Sequence, residues 1–116
     1  MTDIIPTVVS NLTTDTGLPV LYELFLDSTD PIPCISYQIY NSYDESVGDT
    51  LSYSILQLMV KLWVDITDDD LDDYKLLIDK SMKEMKFRLV SYGELGIDNE
   101  LCIMMVYEGL VKEIGE

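Results

Sequence analysis

Residues 50–64 alternate more strictly than any other stretch of the chain. Leu56, Leu58, Val60, Leu62 and Val64 fall on one side of an extended backbone; Leu51, Tyr53, Ile55, Gln57, Met59, Lys61 and Trp63 fall on the other. Strand side chains alternate between faces with period two, so this run predicts a long strand with one face almost purely core. The second face is apolar but interrupted by Gln57 and Lys61, the composition of a surface that meets water or a neighbouring subunit.

The flanking sequence supplies partners for that strand. Ile5, Val8, Val9 and Leu12 recur at i, i+3, i+4 and i+7 and predict a helix over 4–14. Pro6 sits harmlessly in its first turn, Asp3 is placed to cap it, and Gly17 and Pro19 end it. Residues 20–26 read as a strand with Val20, Tyr22, Leu24 and Leu26 on one side, broken by the Pro-containing stretch 27–33. Residues 34–40 resume as a second strand, and the polar stretch 41–49 predicts a long hairpin tip, a flexible loop at about 41–50. Thr67 is expected to cap a helix over 68–86, in which Leu71, Tyr74, Leu77, Ile78, Met82 and Met85 form one apolar stripe. Its acids lie at the start and its lysines toward the end, both favoured by the helix dipole. Residues 87–92 predict a fourth strand, 93–100 a turn with Gly93 and Gly96, and 101–112 a last strand, apolar on both faces through Val106.

The order α-β-β-β-α-β-β is that of one α+β domain over residues 1–116, a two-layer sandwich with a mostly antiparallel sheet and both helices on one face. The apolar second face of 101–106 is then left without a helix. Exposed apolar patches mark interaction sites, and subunit contact is one way to cover this one.

Charge narrows the partners. With 22 acidic and 7 basic residues in 116, the formal net charge is −15. Such a surface repels phosphate backbones, so wrapping nucleic acid through Lys and Arg contacts is disfavoured. Residues 1–60 carry eight acids and no base; six aspartates crowd 65–73; five of the seven bases follow between Lys75 and Arg88. That layout suits head-to-tail docking, or a passage that keeps a polyanion moving. Lys75, Lys83, Lys86 and Arg88 read most simply as a solvated helix face and alternatively as a docking strip for an acidic neighbour.

The chemistry of catalysis finds little purchase. There is no His, which removes Ser-His-Asp and Cys-His catalysis and most zinc sites. An EF-hand loop needs Gly at its sixth position and Glu at its twelfth; from Asp65 those positions hold Asp70 and Leu76, and from Asp68 they hold Asp73 and Asp79. Cys34 and Cys102 form no CxxC pair and read as small buried hydrophobes. The six glycines match no phosphate-loop spacing, and the tyrosines are not interleaved with bases as in a stacking platform. These readings predict no enzyme activity, cofactor or metal. No apolar run is long enough to span a bilayer, and residues 1–30 lack the basic region of a signal peptide, so the expected setting is a cytoplasm with no membrane partner.

Taken together, the amphipathic first helix, Gly17-Leu18-Pro19-Val20-Leu21-Tyr22-Glu23, the step into Pro33-Cys34-Ile35-Ser36-Tyr37, the polar loop, Gly48-Asp49-Thr50-Leu51-Ser52-Tyr53-Ser54 and Lys61-Leu62-Trp63-Val64-Asp65-Ile66 resemble the tail terminator (tail completion) proteins of tailed bacteriophages. The likeness covers about residues 4–112; the acidic turn 68–73 is not a mark of that family. The resemblance implies a structural virion protein assembled in the bacterial cytoplasm as a hexameric ring. The ring would cap the head-proximal end of the tail tube, stop its polymerisation and join the head connector, with the sheath as a further neighbour in a contractile tail. DNA would pass through without specific binding, and there would be no cofactor. Under that expectation Tyr43, Asp44 and Glu45 of the polar loop contact the tube or connector. Tyr53, Gln57, Met59, Lys61 and Trp63, with Lys75, Lys83, Lys86 and Arg88, are the candidate contacts between subunits or to the tube. The acidity motivates a competing expectation, a DNA mimic that inhibits a basic nucleic-acid-binding enzyme.

Overall fold

A computed structural model describes the backbone of residues 4–22, 32–47, 51–97 and 99–114, and the side chains of 4–22, 32–40, 55–96 and 99–110. The elements are α1 (Ile5–Thr16), β1 (Val20–Tyr22), β2 (Cys34–Val47), β3 (Leu51–Asp65), α2 (Leu71–Glu84), β4 (Phe87–Ile97) and β5 (Glu100–Ile114). The sheet order is β1-β2-β3-β5-β4, with β1 parallel to β2 and every other pairing antiparallel. The fold is thus the α+β sandwich that the pattern predicts.

The strictly alternating run is the central strand. β3 pairs with β5 without a break from Leu51↔Ile114 to Asp65↔Glu100. A strand advances about 3.4 Å per residue, so this 15-residue ladder accounts for most of the 53 Å long axis of the molecule. Leu56, Leu58, Val60, Leu62 and Val64 are buried with Ile103, Met105 and Tyr107 of β5, Ile35 of β2 and Phe87 of β4. Val8 and Leu12 of α1 and Ile78 and Met82 of α2 join the same core, so both helices cover one face of the sheet.

Local signals account for most boundaries. α1 ends where Gly17 takes φ 71° and returns its N–H to the Thr13 carbonyl at 2.9 Å, the left-handed cap that glycine adopts without strain. Its N-cap is Ile4, which offers no side-chain bond; Asp3, the expected cap, lies outside the described residues. Of the predicted strand over 20–26, Val20–Tyr22 is described, and Leu24 and Leu26 lie outside.

Four expectations need correction. Asn41 to Val47 are not loop: they extend β2, paired with Leu51 to Gln57 of β3. A long neighbouring strand satisfies their backbone groups, and that outweighs their polar composition. Residues 48–50 lie outside the described set. The turn at 93–100 is likewise strand as far as Ile97, because β5 offers partners to it, Gly93↔Met104 and Gly96↔Leu101. Thr67 does not cap α2. The N-cap is Asp70, again without a side-chain bond, and Thr67 instead gives both its N–H and its hydroxyl to Asp65 Oδ1, at 3.0 and 2.7 Å. Finally, α2 stops at Glu84, two residues early, and Lys86 turns the chain into β4 at φ 70°.

Candidate interaction surface

The odd-numbered side chains of β3 face away from the helices. Register places Cys34, Trp63 and Cys102 in one row across β2, β3 and β5, then Ser36, Lys61 and Met104, then Gln38, Met59 and Val106. Cys34, Ser36 and Cys102 are buried, and the Trp63 indole N–H donates to the buried Ser36 hydroxyl at 2.9 Å. Gln38 Nε2 lies 3.6 Å from Met59 Sδ.

A polar row then crosses the face. Gln57 Nε2 donates to Glu108 Oε1 at 3.1 Å, and Arg88 Nη2 donates to Glu108 Oε2 at 2.8 Å, linking β3, β5 and β4. The bond from Arg88, then that from Gln57, holds the Glu108 carboxyl below the usual carboxylate range. On one side of this row Tyr40, Met59, Val90, Met104 and Val106 line a concavity of about 420 Å³. Tyr40 and Val90 are both extra residues in the ladders, between Ile39 and Asn41 of β2 and between Leu89 and Ser91 of β4. Bulges bend a strand and re-aim its side chains, and these two stand on either side of the central pair. Tyr40 is 58% exposed and Val90 42%. Beyond the row, Leu110 is exposed beside Ile55 and Arg88.

A second apolar surface lies on the helix side, between α2 and β4. Leu76, Leu89, Tyr92, Met105 and Tyr107 line a groove of about 390 Å³. The buried Tyr107 hydroxyl donates to Asp79 Oδ1 at 3.0 Å, and Lys83 Nζ pairs with Asp79 Oδ2 at 2.7 Å. Lys75 lies 5.0 Å from the Tyr92 ring centroid and 3.9 Å from Glu94 Oε1. Hydrogen bonding to Tyr92, above all, holds the Lys75 ammonium above its ordinary pKa.

The candidate contact residues therefore divide. Gln57, Met59, Lys61, Trp63 and Arg88 share the helix-free face, whereas Lys75 and Lys83 belong to α2 on the other side. Lys86 sits in the turn after α2. Tyr43, Asp44, Glu45 and Tyr53 occupy strand positions, Tyr43 opposite Ile55, Asp44 opposite Ser54 and Glu45 opposite Tyr53, and their side chains lie outside the described residues. Lys75, Lys83 and Arg88 are each engaged by a carboxylate of the same chain, so they do not form one continuous basic strip.

Neither a protein-family model nor a curated protein matches this chain in sequence. Among the described residues no group of three or more Cys, Asp or Glu is placed to hold a metal ion, and no helix is long and apolar enough to cross a membrane.

Sequence reading missed Tyr40, Val90, Met104, Val106 and Glu108 as a group because they come from three strands and only register assembles them. It passed over Leu76 as well, although the signal was present: a leucine set off the apolar stripe of α2.

Proposed function

We propose that this chain is a ring-forming structural subunit, a terminator at the head-proximal end of a phage tail tube. The observation that carries the reading is the presence of two unlike surfaces, each with exposed apolar side chains, on opposite sides of one small domain. One is the concavity of the helix-free face and the other is the groove between α2 and β4. A ring needs a heterologous contact, in which one patch meets a different patch on the next copy. The resemblance in the sequence supports the hexameric number and the tube and connector as partners. The net charge of −15 supports a wall from which DNA slides free.

The apolar helix-free face also separates this reading from a DNA mimic, whose recognition surface is carboxylate throughout. Light scattering and negative-stain electron microscopy of the purified protein, alone and with tail tubes, test the proposal. Rings on tube ends are the expected result. A protein that stays monomeric and never binds a tube end overturns it. Salt-sensitive capture of a basic nucleic-acid-binding enzyme, without rings, favours the mimic.

A further inference from the structure

The sheet narrows toward one end. β4 pairs with β5 only as far as Phe87↔Gly109, and β1 reaches only Tyr37 of β2. Past those points β2, β3 and β5 run on together as a three-stranded arm, ending at Val47↔Leu51 and Leu51↔Ile114. One hydrogen bond fixes which backbone groups of the arm face outward. The Ile66 N–H donates to the Asn99 carbonyl at 2.8 Å, which makes these two a hydrogen-bonded pair in line with the β3–β5 ladder. Such pairs alternate along an antiparallel ladder, and this ladder is unbroken. Val111 and Glu113 therefore bond to β3, while Leu110, Lys112 and Ile114 turn their backbone groups away from it. By the same alternation the odd-numbered residues of β3 bond to β2, so Tyr43 and Glu45 face β3 and Ser42, Asp44 and Ser46 face outward. The bond from the Ile35 N–H out to the Pro19 carbonyl, at 2.8 Å, agrees with that alternation, because Ile35 lies opposite Leu62. Among the described residues no strand pairs with either outward row. A concavity of about 500 Å³, lined by Ile55, Lys86, Phe87 and Leu110, opens where β4 stops.

We propose that the two rows pair with each other between copies, so that β5 of one arm takes β2 of the next arm as its neighbouring strand. The inference rests on the ring reading and says how the copies are joined. β2 and β5 both run toward the tip of the arm, each antiparallel to β3. Copies arranged around an axis with their arms along it keep every arm pointing one way. The joint is then a parallel ladder, the pairing that β1 and β2 already make. In a parallel ladder an outward residue bonds to the two residues that flank its opposite number. Lys112 set opposite Glu45 would thus bond the backbones of Asp44 and Ser46, both of which face outward. Glu45 and Lys112 each pair with Tyr53, so the joint keeps one sheet face on the same side from copy to copy. A stagger by an even number of residues, of the kind a closed sheet needs, preserves both properties. Closure selects the occupant. A foreign strand on the β5 row leaves the β2 row bare, and so does two-fold pairing of β5 with β5. Head-to-tail pairing uses both rows and, around a ring, leaves neither exposed. The rows also lie past the irregularities at Tyr40 and Val90, where the ladders are regular.

Backbone hydrogen exchange of the full chain, measured on rings assembled with tail tubes and on the dissociated protein, tests the joint. The outward amides of Ser42, Asp44, Leu110 and Lys112 should exchange fast in the dissociated protein and at least about tenfold more slowly in rings. Lys112→Pro removes an outward donor, where an edge strand accepts proline, whereas Val111→Pro removes a bond to β3. The first should abolish rings yet keep a urea midpoint well above that of the second; should it fail to fold, the wild-type exchange decides alone. Rings whose outward amides exchange as fast as in the dissociated protein, or rings formed by Lys112→Pro as readily as by wild type, overturn the inference and leave the terminator reading standing. Slowing confined to β5, in dimers, indicates two-fold pairing and overturns it as well. A chain that forms no rings with tubes overturns both.

Discussion

The Tyr107 hydroxyl of β5 donates a hydrogen bond to Asp79 of α2 across 3.0 Å, and so fastens the helix to the sheet at the floor of the α2–β4 groove. Burial first, then the Asp79 charge, raises the Tyr107 pKa far above the tyrosine value of 10.0. A raised pKa stabilises the fold fully below the unfolded value, and the contribution is lost as pH rises from there toward the folded value. Wild-type stability should fall above about pH 10, and Tyr107→Phe should flatten that alkaline limb while costing about 1–2 kcal/mol at neutral pH. Urea midpoints measured from neutral to alkaline pH check both effects.

The Trp63–Ser36 hydrogen bond joins β3 to β2 on the helix-free face. Trp63→Phe leaves the buried Ser36 hydroxyl without its indole donor and should cost about 1–3 kcal/mol. Ser36→Ala in that background should cost less than Ser36→Ala alone. A double-mutant cycle by denaturant unfolding reads the coupling, expected at about 0.5 kcal/mol or more.

Gly109 is where the Phe87 ring crosses β5. A Cβ built there falls 2.5 Å from ring atoms Cδ1 and Cε1, well inside contact distance. Gly109→Ala should therefore lose about 1–3 kcal/mol by overpacking. Phe87→Leu, which removes the ring, should recover part of that loss in the double variant, as thermal unfolding would report.

Glu108 gives an acid-side counterpart. Its carboxyl is held below the usual range by Arg88 and then Gln57. A lowered pKa stabilises above the unfolded value and the contribution is lost as pH falls through the folded one. Glu108→Gln should remove that portion of the acid limb in a pH titration of stability, and Arg88→Gln should remove most of the same portion.

Val90→Glu and Leu110→Glu place charge on exposed positions of the helix-free face. Each should leave the urea midpoint nearly unchanged, within about 0.5 kcal/mol. If the ring closes through this face, both should abolish rings seen by electron microscopy.

The α+β layout was legible because its main signals are periodic. Alternation in β3 and the stripe in α2 each report which side is buried, and both match the core. Asn41 to Val47 were not legible as strand, since polar residues accept a strand when a long neighbour satisfies their backbone. Thr67 reads as the cap of α2 and the acids at its start as favoured by the helix dipole, yet Asp65 and Asp68 spend their carboxylates on the turn itself, binding Thr67 and the Asp70 N–H. The helix-free face was foreseen from the apolar second side of β5. Its polar row was not, because Gln57, Glu108 and Arg88 are separated in sequence and meet only through register.

The extra residue at Val90 bears on how such a chain stays dispersed. β4 is an outer strand of the sheet, and a uniform outer strand invites a neighbour to extend the ladder without end. An inserted residue breaks the hydrogen-bonding rhythm that such growth would copy. Open-ended fibre growth is thereby discouraged at that margin, and association is left to faces whose geometry can close.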